Sequence, residues 1–427
     1  MKVARGPAIW ARRALLAIFL IGAAVIPGRA TSQQAPHCSG PRCITAGSVL
    51  WTRALPGSWV AQSGVSGTVT DQAAAYAADG GGVAAVGSGT LVTGYQASSG
   101  RWLWHVRLVG IPAGSTIVSV RAFTGVVAVG VEPPAGQSGA ARDEVILSAA
   151  TGRQIRIYPA ASYGGAVQAD AASTVIVGDT AVLEYSNVTG RVLWRRVIGS
   201  GAQTWRVADQ YIYVTEPGGP TGGGVAALRR ISLITGAERI IRLRPAAAGS
   251  LSNVLSVAQP GGQPPTDVLL FSGAGGVAAY GLNGSPLWHK VSAAPELADA
   301  SQGVVYVAAG SWLAGLDAAS GMVISRAAIS VSASLYTVSD GVALGLDQNA
   351  LGEAWGYSLT AGRVAWTSPG LPWPHFFADM SGLGGSARAA SDVALLAVCA
   401  RVGTAPNAAT AAPCARPELA AVLIRSR

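Results

Sequence analysis

Lysine is nearly missing from this chain. It occurs only at Lys2 and Lys290, and the other 28 of the 30 basic residues are arginine. Charged residues make up only 12% of the 427 positions, while half the chain is hydrophobic. That balance excludes a disordered polyelectrolyte, which has too little apolar surface to fold. There are only four histidines: His37 precedes the repeats described below, His105 and His289 directly follow a tryptophan, and His375 sits in a loop-like segment. No HExxH, GxSxG or Walker pattern is present, so the common hydrolase and nucleotide signatures are excluded. Gly80–Gly82 and Gly222–Gly224 lack the Lys-Ser/Thr of a phosphate loop and read as turns. The net charge of +9 suggests nucleic acid, but five of those charges belong to residues 1–30, which leaves +4 on the rest. No basic run with interleaved aromatics appears, so no nucleic-acid partner is expected.

Long apolar runs are also lacking, apart from residues 14–26. Lys2, Arg5, Arg12 and Arg13 precede that run, Pro27 ends it, and Gly28 and Ala30 offer a small-residue cleavage site. These are the three parts of a secretory signal peptide. The run is shorter than the roughly 20 residues of a comfortable membrane span. Residues 1–30 are therefore expected to be a signal peptide or an uncleaved N-terminal anchor, and either one places the remainder outside the cytoplasm.

The four cysteines fall as two local pairs, Cys38 with Cys43 and Cys399 with Cys414. An even number in an oxidising compartment predicts disulfides, and four cysteines allow three connectivities. Local pairing is expected, with a Cys399–Cys414 bridge closing the base of a long hairpin loop. Cys-x4-Cys beside a single histidine is a poor match to a zinc site, so no metal is expected.

What the chain does have is a repeat. A turn glycine is followed four residues later by tryptophan at Gly47/Trp51, Gly100/Trp104, Gly190/Trp194, Gly284/Trp288 and Gly362/Trp366. Three degenerate copies, at Gly152, Gly236 and Gly321, place Arg156, Ile240 and Ser325 there. Eight turns spaced about 37 to 53 residues apart suit four-stranded propeller blades. Upstream of each turn lies an apolar run, such as residues 83–86, 126–129, 211–214 and 304–307, read as an inner strand buried on both faces. An aspartate often precedes that run, as at Asp79, Asp170, Asp209, Asp267, Asp299, Asp340 and Asp392, and is read as a turn residue. The expected fold is all-β, an eight-bladed β-propeller, or seven-bladed if one degenerate copy is not a blade. The chain starts with an orphan turn and outer strand at 47–55 and ends on a strand at 418–424 without them, so the termini are expected to share the last blade. Trp51, Trp104, Trp194, Trp288 and Trp366 are then packing groups that dock blade on blade rather than base- or quinone-stacking groups.

The unit Tyr/Asp-x-x-Thr/Ser/Asn-Gly-x-x-x-Trp, seen at 95–104 and 185–194, resembles the repeat of pyrroloquinoline-quinone (PQQ)-type propellers. The resemblance covers about residues 45–425. It implies an eight-bladed propeller with tryptophan docking, in a family that holds quinone-dependent dehydrogenases and non-enzymatic scaffolds. The enzymes often carry a vicinal Cys-Cys disulfide beside the quinone, and here no two cysteines adjoin. Their calcium ligands and aspartate base have no matching positions, so no cofactor and no catalytic residue are carried over.

The resulting organisation is a leader or anchor (1–30), a linker with a cysteine pair (31–44) and a propeller (45–427). The long insertions at 132–144, 216–225, 400–413, 56–82 and 369–391 are expected to open on one end of the ring. Trp373, His375, Phe376 and Phe377 are unusually aromatic for a loop and are the expected partner surface. The expected function is an exported, non-catalytic scaffold for a protein or another cell-envelope component. The alternatives are a PQQ-dependent oxidoreductase and a receptor for a small ligand or polysaccharide.

Overall fold

The computed structural model describes residues 48–54, 59–60, 76–80, 82–134, 142–160, 165–178, 180–198, 204–208, 210–216, 224–257, 266–273, 275–291, 296–299, 303–309, 311–328, 333–339, 341–347, 353–358, 362–368, 393–402 and 413–423. Among these, every regular element is a β-strand, and no helix is long and apolar enough to cross a membrane.

The strands form eight four-stranded antiparallel sheets. Sheet 1 comprises Tyr76–Gly80, Val83–Ser88, Leu91–Gln96 and Trp102–Arg107, hydrogen-bonded in chain order. Sheet 2 comprises Thr116–Phe123, Val126–Glu132, Arg142–Ser148 and Gln154–Ala160; sheet 3 comprises Gly165–Ala169, Ser173–Val177, Ala181–Ser186 and Val192–Val197. Sheet 4 comprises Trp205–Ala208, Tyr211–Thr215, Val225–Ser232 and Glu238–Ala247; sheet 5 comprises Ser250–Val257, Thr266–Gly273, Gly276–Gly281 and Pro286–Lys290. Sheet 6 comprises Glu296–Asp299, Val304–Ala309, Trp312–Asp317 and Val323–Ala328; sheet 7 comprises Ala333–Ser339, Val342–Asp347, Glu353–Ser358 and Arg363–Ser368. Sheet 8 draws on both ends of the chain: Pro413–Leu423 pairs with Val393–Val402 on one side and with Val49–Ala54 and Trp59–Val60 on the other.

The apolar runs expected to be inner strands are the second strands of sheets 1 to 7. In each case another strand precedes them, such as Tyr76–Gly80 before Val83–Ser88. The physical reason is position within the sheet. A second strand is flanked by strands on both edges and by neighbouring sheets on both faces, so apolar side chains dominate it and a polar one needs a partner. Val126, Val127, Ala128 and Val129 are fully buried for this reason.

From sheet 1 to sheet 7, consecutive sheets are sealed by apolar clusters. Val92 and Trp104 pack with Val127 and Leu147 between sheets 1 and 2. Ile146 and Tyr158 meet Ile176 and Tyr185 between sheets 2 and 3, and Val175 and Val182 meet Ile212 and Ile231 between sheets 3 and 4. Leu228 meets Leu269 and Phe271, Leu270 meets Val305, and Leu313 meets Tyr357 at the next three junctions.

The turn before each outer strand depends on glycine. Gly100 and Gly152 have φ of +63° and +69°, and each donates its N–H to the carbonyl four residues earlier, at 2.8 Å. A side chain at either would also strike the neighbouring sheet. A Cβ on Gly152 would lie 2.7 Å from the Trp104 ring.

Candidate functional site

The repeat tryptophans sit on outer strands, and four of the five reach the turn of the following sheet. Trp51 Nε1 donates to Ala97 O at 2.8 Å, Trp104 Nε1 to Ala149 O at 2.6 Å, and Trp288 Nε1 to Ala318 O at 2.8 Å. Each acceptor lies three residues before a turn glycine that the indole covers: Gly100, Gly152 and Gly321. Trp194 covers Gly236 in the same way, but its N–H has no acceptor among the described residues. Trp366 lies against Gly356 of its own sheet, and Gly47, its counterpart in the repeat, is outside the described residues. In the degenerate copy of sheet 2, Arg156 takes the tryptophan position and donates to Val188 O of sheet 3 at 2.6 Å.

Sequence reasoning missed a second docking group. Two residues after Trp51, Arg53 Nε donates to Gly100 O at 2.7 Å, and Arg196, two after Trp194, donates to Gly236 O. The spacing Trp-x-Arg was the available signal.

Trp373, His375, Phe376 and Phe377 lie outside the described residues, as do Cys38, Cys43 and the whole of 1–47. Cys399 and Cys414 are on paired strands, but Cys399 stands opposite Pro417 and Cys414 opposite Val402.

Buried polar groups concentrate at two junctions. Between sheets 2 and 3, the Asn187 amide accepts from Tyr158 Oη and Thr174 Oγ1, both at 2.9 Å, and donates to Asp170 O at 2.7 Å. It is buried, and its amide links the two sheets. Glu144 is fully buried at the same junction, beside Arg121 and Arg142. Burial raises its carboxyl above the usual range, more than the two arginines lower it. A raised folded value means that Glu144 favours folding most below the unfolded value of about 4.3, and that this contribution is lost as pH rises through the folded one. Glu144→Gln is therefore expected to gain stability relative to wild type at pH 8 compared with pH 4, measured by urea unfolding at both.

Between sheets 4 and 5, Asp267 accepts from Tyr213 Oη and Ser256 Oγ, and Arg230 Nη2 lies 3.5 Å from its Oδ2. Arg230 Nε also donates to Tyr213 Oη at 2.9 Å. Asp267 is thus a buried strand residue that ties two sheets together, not the turn residue expected from its place before an apolar run. Asp170 does form that turn, accepting from the N–H groups of Ala172 and Ser173 at 2.7 and 2.8 Å.

No protein-family model matches the chain, and no curated protein matches it. Solved structures do. A quinohemoprotein alcohol dehydrogenase from Pseudomonas putida HK5 is 11% identical, with 88% of this chain and 76% of that chain covered and a TM-score of 0.51. The quinohemoprotein alcohol dehydrogenase from Comamonas testosteroni gives 11%, 87% and 76%, with a TM-score of 0.50. The fold is a PQQ-like β-propeller. Sqt1 of Saccharomyces cerevisiae is likewise similar in fold, at 11% identity, 83% and 95% coverage and a TM-score of 0.52.

The quinone and calcium that this propeller fold brings to mind do not fit the residues described. A calcium centre needs several converging oxygen ligands. Among the described residues the buried acids are Glu144, Asp267 and Glu418, in sheets 2, 5 and 8. Two arginines flank Glu144, and a tyrosine, a serine and an arginine occupy Asp267. Among the described residues no three His, Cys, Asp or Glu side chains gather where they could hold a metal ion.

The rim of the propeller has a different character. The outer strands of its eight sheets carry eleven arginines and lysines against one acid, Glu238. Their net +10 exceeds the +9 of the whole chain. Apolar side chains interleave with these cations. Two and three residues after the turn glycine, the chain exposes Val192 and Leu193 (49% and 56%) in sheet 3 and Val323 and Ile324 in sheet 6. Leu287 in sheet 5, Ile240 in sheet 4 and Trp102 (61%) in sheet 1 are also exposed.

Proposed function

We propose that this chain is an exported, non-catalytic β-propeller that docks a protein partner of the cell envelope on its outer rim. The export half of the reading rests on the charged, apolar and small-residue segments of residues 1–30. The docking half is carried by the rim of sheets 3 and 4. Arg191, Arg195, Arg239, Arg242 and Arg244 are exposed there and have no acidic partner among the described residues. Val192, Leu193, Val197, Ile234 and Ile240 are exposed between them. Arg196, donating to Gly236 O, bolts the two outer strands into one surface. Contiguous apolar side chains ringed by charge mark protein-docking surfaces, and arginine is enriched at such interfaces.

The test is site-specific photo-crosslinking in the native cells. A crosslinker at Leu193 or Ile240 is expected to give one discrete protein adduct, and one at Gln168, exposed on a first strand, none. Equal labelling at all three positions, or none at any, overturns the docking reading. Purified protein given PQQ and calcium is expected to show no dye reduction with alcohols or sugars. Turnover would assign catalysis instead.

A further inference from the structure

Beside that rim, sheet 4 has a cavity of about 360 Å³ lined by Gln210, Tyr211, Arg230, Ser232, Thr235 and Arg239, among others. We propose that it is a carboxylate site, which receives an acidic side chain from an extended, alternating acidic and apolar segment of a partner polypeptide. The proposal rests on the docking reading above and names the chemistry of the partner.

The key group is Arg230, whose orientation is fixed before any ligand arrives. Its guanidinium lies 3.4 Å from the centroid of the Tyr211 ring. Nε is taken by Tyr213 Oη at 2.9 Å, and Nη2 faces Asp267 at 3.5 Å. Nη1 has no acceptor among the described residues, so its N–H donors remain for an incoming oxyanion. A preorganised donor loses little conformational freedom on binding.

The second cation at the cavity also favours an acid. Glu238 lines the cavity, but its carboxylate is held by Arg229 at 2.5 Å, and Arg229 also binds Glu216 at 2.7 Å. That pairing leaves Arg239, also at the cavity, without an acidic partner among the described residues. Ile234 at the cavity and Ile240 on the adjoining outer strand supply apolar surface next to the cations. That outer strand, Glu238–Ala247, is the edge of its sheet, which is where an extended segment can lie alongside. An extended chain alternates its side chains, so a residue that enters the cavity places its neighbours on the rim. The mixture of apolar surface and cations fits a polypeptide better than a polyanion, which would have no use for Ile234 and Ile240.

The probe is an acetylated, amidated octapeptide of alternating valine and glutamate, fluorescently labelled and read by anisotropy against the full chain. It is expected to bind at least tenfold more tightly than the valine/glutamine peptide. Arg239→Gln and Arg230→Lys are each expected to weaken it about tenfold, the lysine because it keeps the charge but loses the oriented Nη1 donors. Arg239 is exposed, so its variant remains a fair test if Arg230→Lys does not fold. Equal binding of the two peptides, unchanged binding by folded Arg239→Gln, or stronger binding of heparin or phosphatidylglycerol vesicles would each overturn the site. If cavity variants keep the crosslinked adduct at Leu193 and never bind the peptide, the rim stands and the cavity falls. If the peptide binds but no adduct forms, the cavity stands and the envelope-docking reading falls.

Discussion

Trp104→Ala should destabilise the propeller by about 3–5 kcal/mol, the range for emptying a buried aromatic site. The ring is 5% exposed, lies on Gly152 and belongs to the cluster that joins sheets 1 and 2. Its removal also leaves Ala149 O without the indole donor, and a buried acceptor left unsatisfied adds its own desolvation cost. Urea unfolding with a constant m-value would read the loss as a shift in midpoint. Trp102→Ala is the control. It removes the same side chain two residues away, from a site 61% exposed, and should change stability by no more than about 0.5 kcal/mol. Comparable losses for the two variants would mean that the indole contributes bulk to the outer strand rather than a dock on the next sheet.

Asp267→Ala should be nearly as damaging, at about 3–5 kcal/mol, because it removes one partner of a buried ion pair and leaves the rest of the network uncompensated. Tyr213 Oη, Ser256 Oγ and Arg230 all lean on that carboxylate. Arg230 keeps some contact with solvent, at 20% side-chain exposure, which favours the lower end of the range. The same network sets an alkaline limit. Burial first, then the charge of Asp267, push the Tyr213 phenol well above its ordinary value. Below pH 10 the phenol is protonated whether the chain is folded or not, and its contribution is constant. Above about pH 10 the unfolded phenol ionises while the folded one does not, so stability falls by up to about 1.4 kcal/mol per pH unit. Tyr213→Phe removes this term. Its stability between pH 10 and 11.5 should fall less steeply than that of wild type. Parallel curves would show that the phenol titrates alike in both states.

Much of the architecture was readable from residues because it rests on short-range chemistry. A glycine forced to positive φ, an apolar run behind it and a tryptophan four residues ahead recur with the period of a blade, and the sheets follow that period. The pairing of Val49–Ala54 with Pro413–Leu423 was legible for the same reason, since each end supplied what the other lacked. The rank of strands within a sheet was not. Burial on both faces makes a strand apolar, but it does not say whether the next edge holds a neighbour, so Val83–Ser88 was read as innermost when Tyr76–Gly80 precedes it. The role of Asp267 was missed for a related reason. Its partners Tyr213 and Arg230 lie 54 and 37 residues away, on another sheet.

The sequence by itself determined the period, the turns and the identity of four docking tryptophans, Trp51, Trp104, Trp194 and Trp288, because each depends on residues within a few positions of one another. Tertiary structure alone decided where the charge lies. Along the chain the arginines are scattered about one or two per repeat and look unremarked. Stacking the sheets puts their outer strands on one surface, so that dispersed residues become a basic and apolar rim. Arg230, pinned between Tyr213 and Asp267, likewise becomes an oriented donor only when sheets 4 and 5 meet. Neighbours made by packing have no fixed separation in sequence, and no local pattern can announce them.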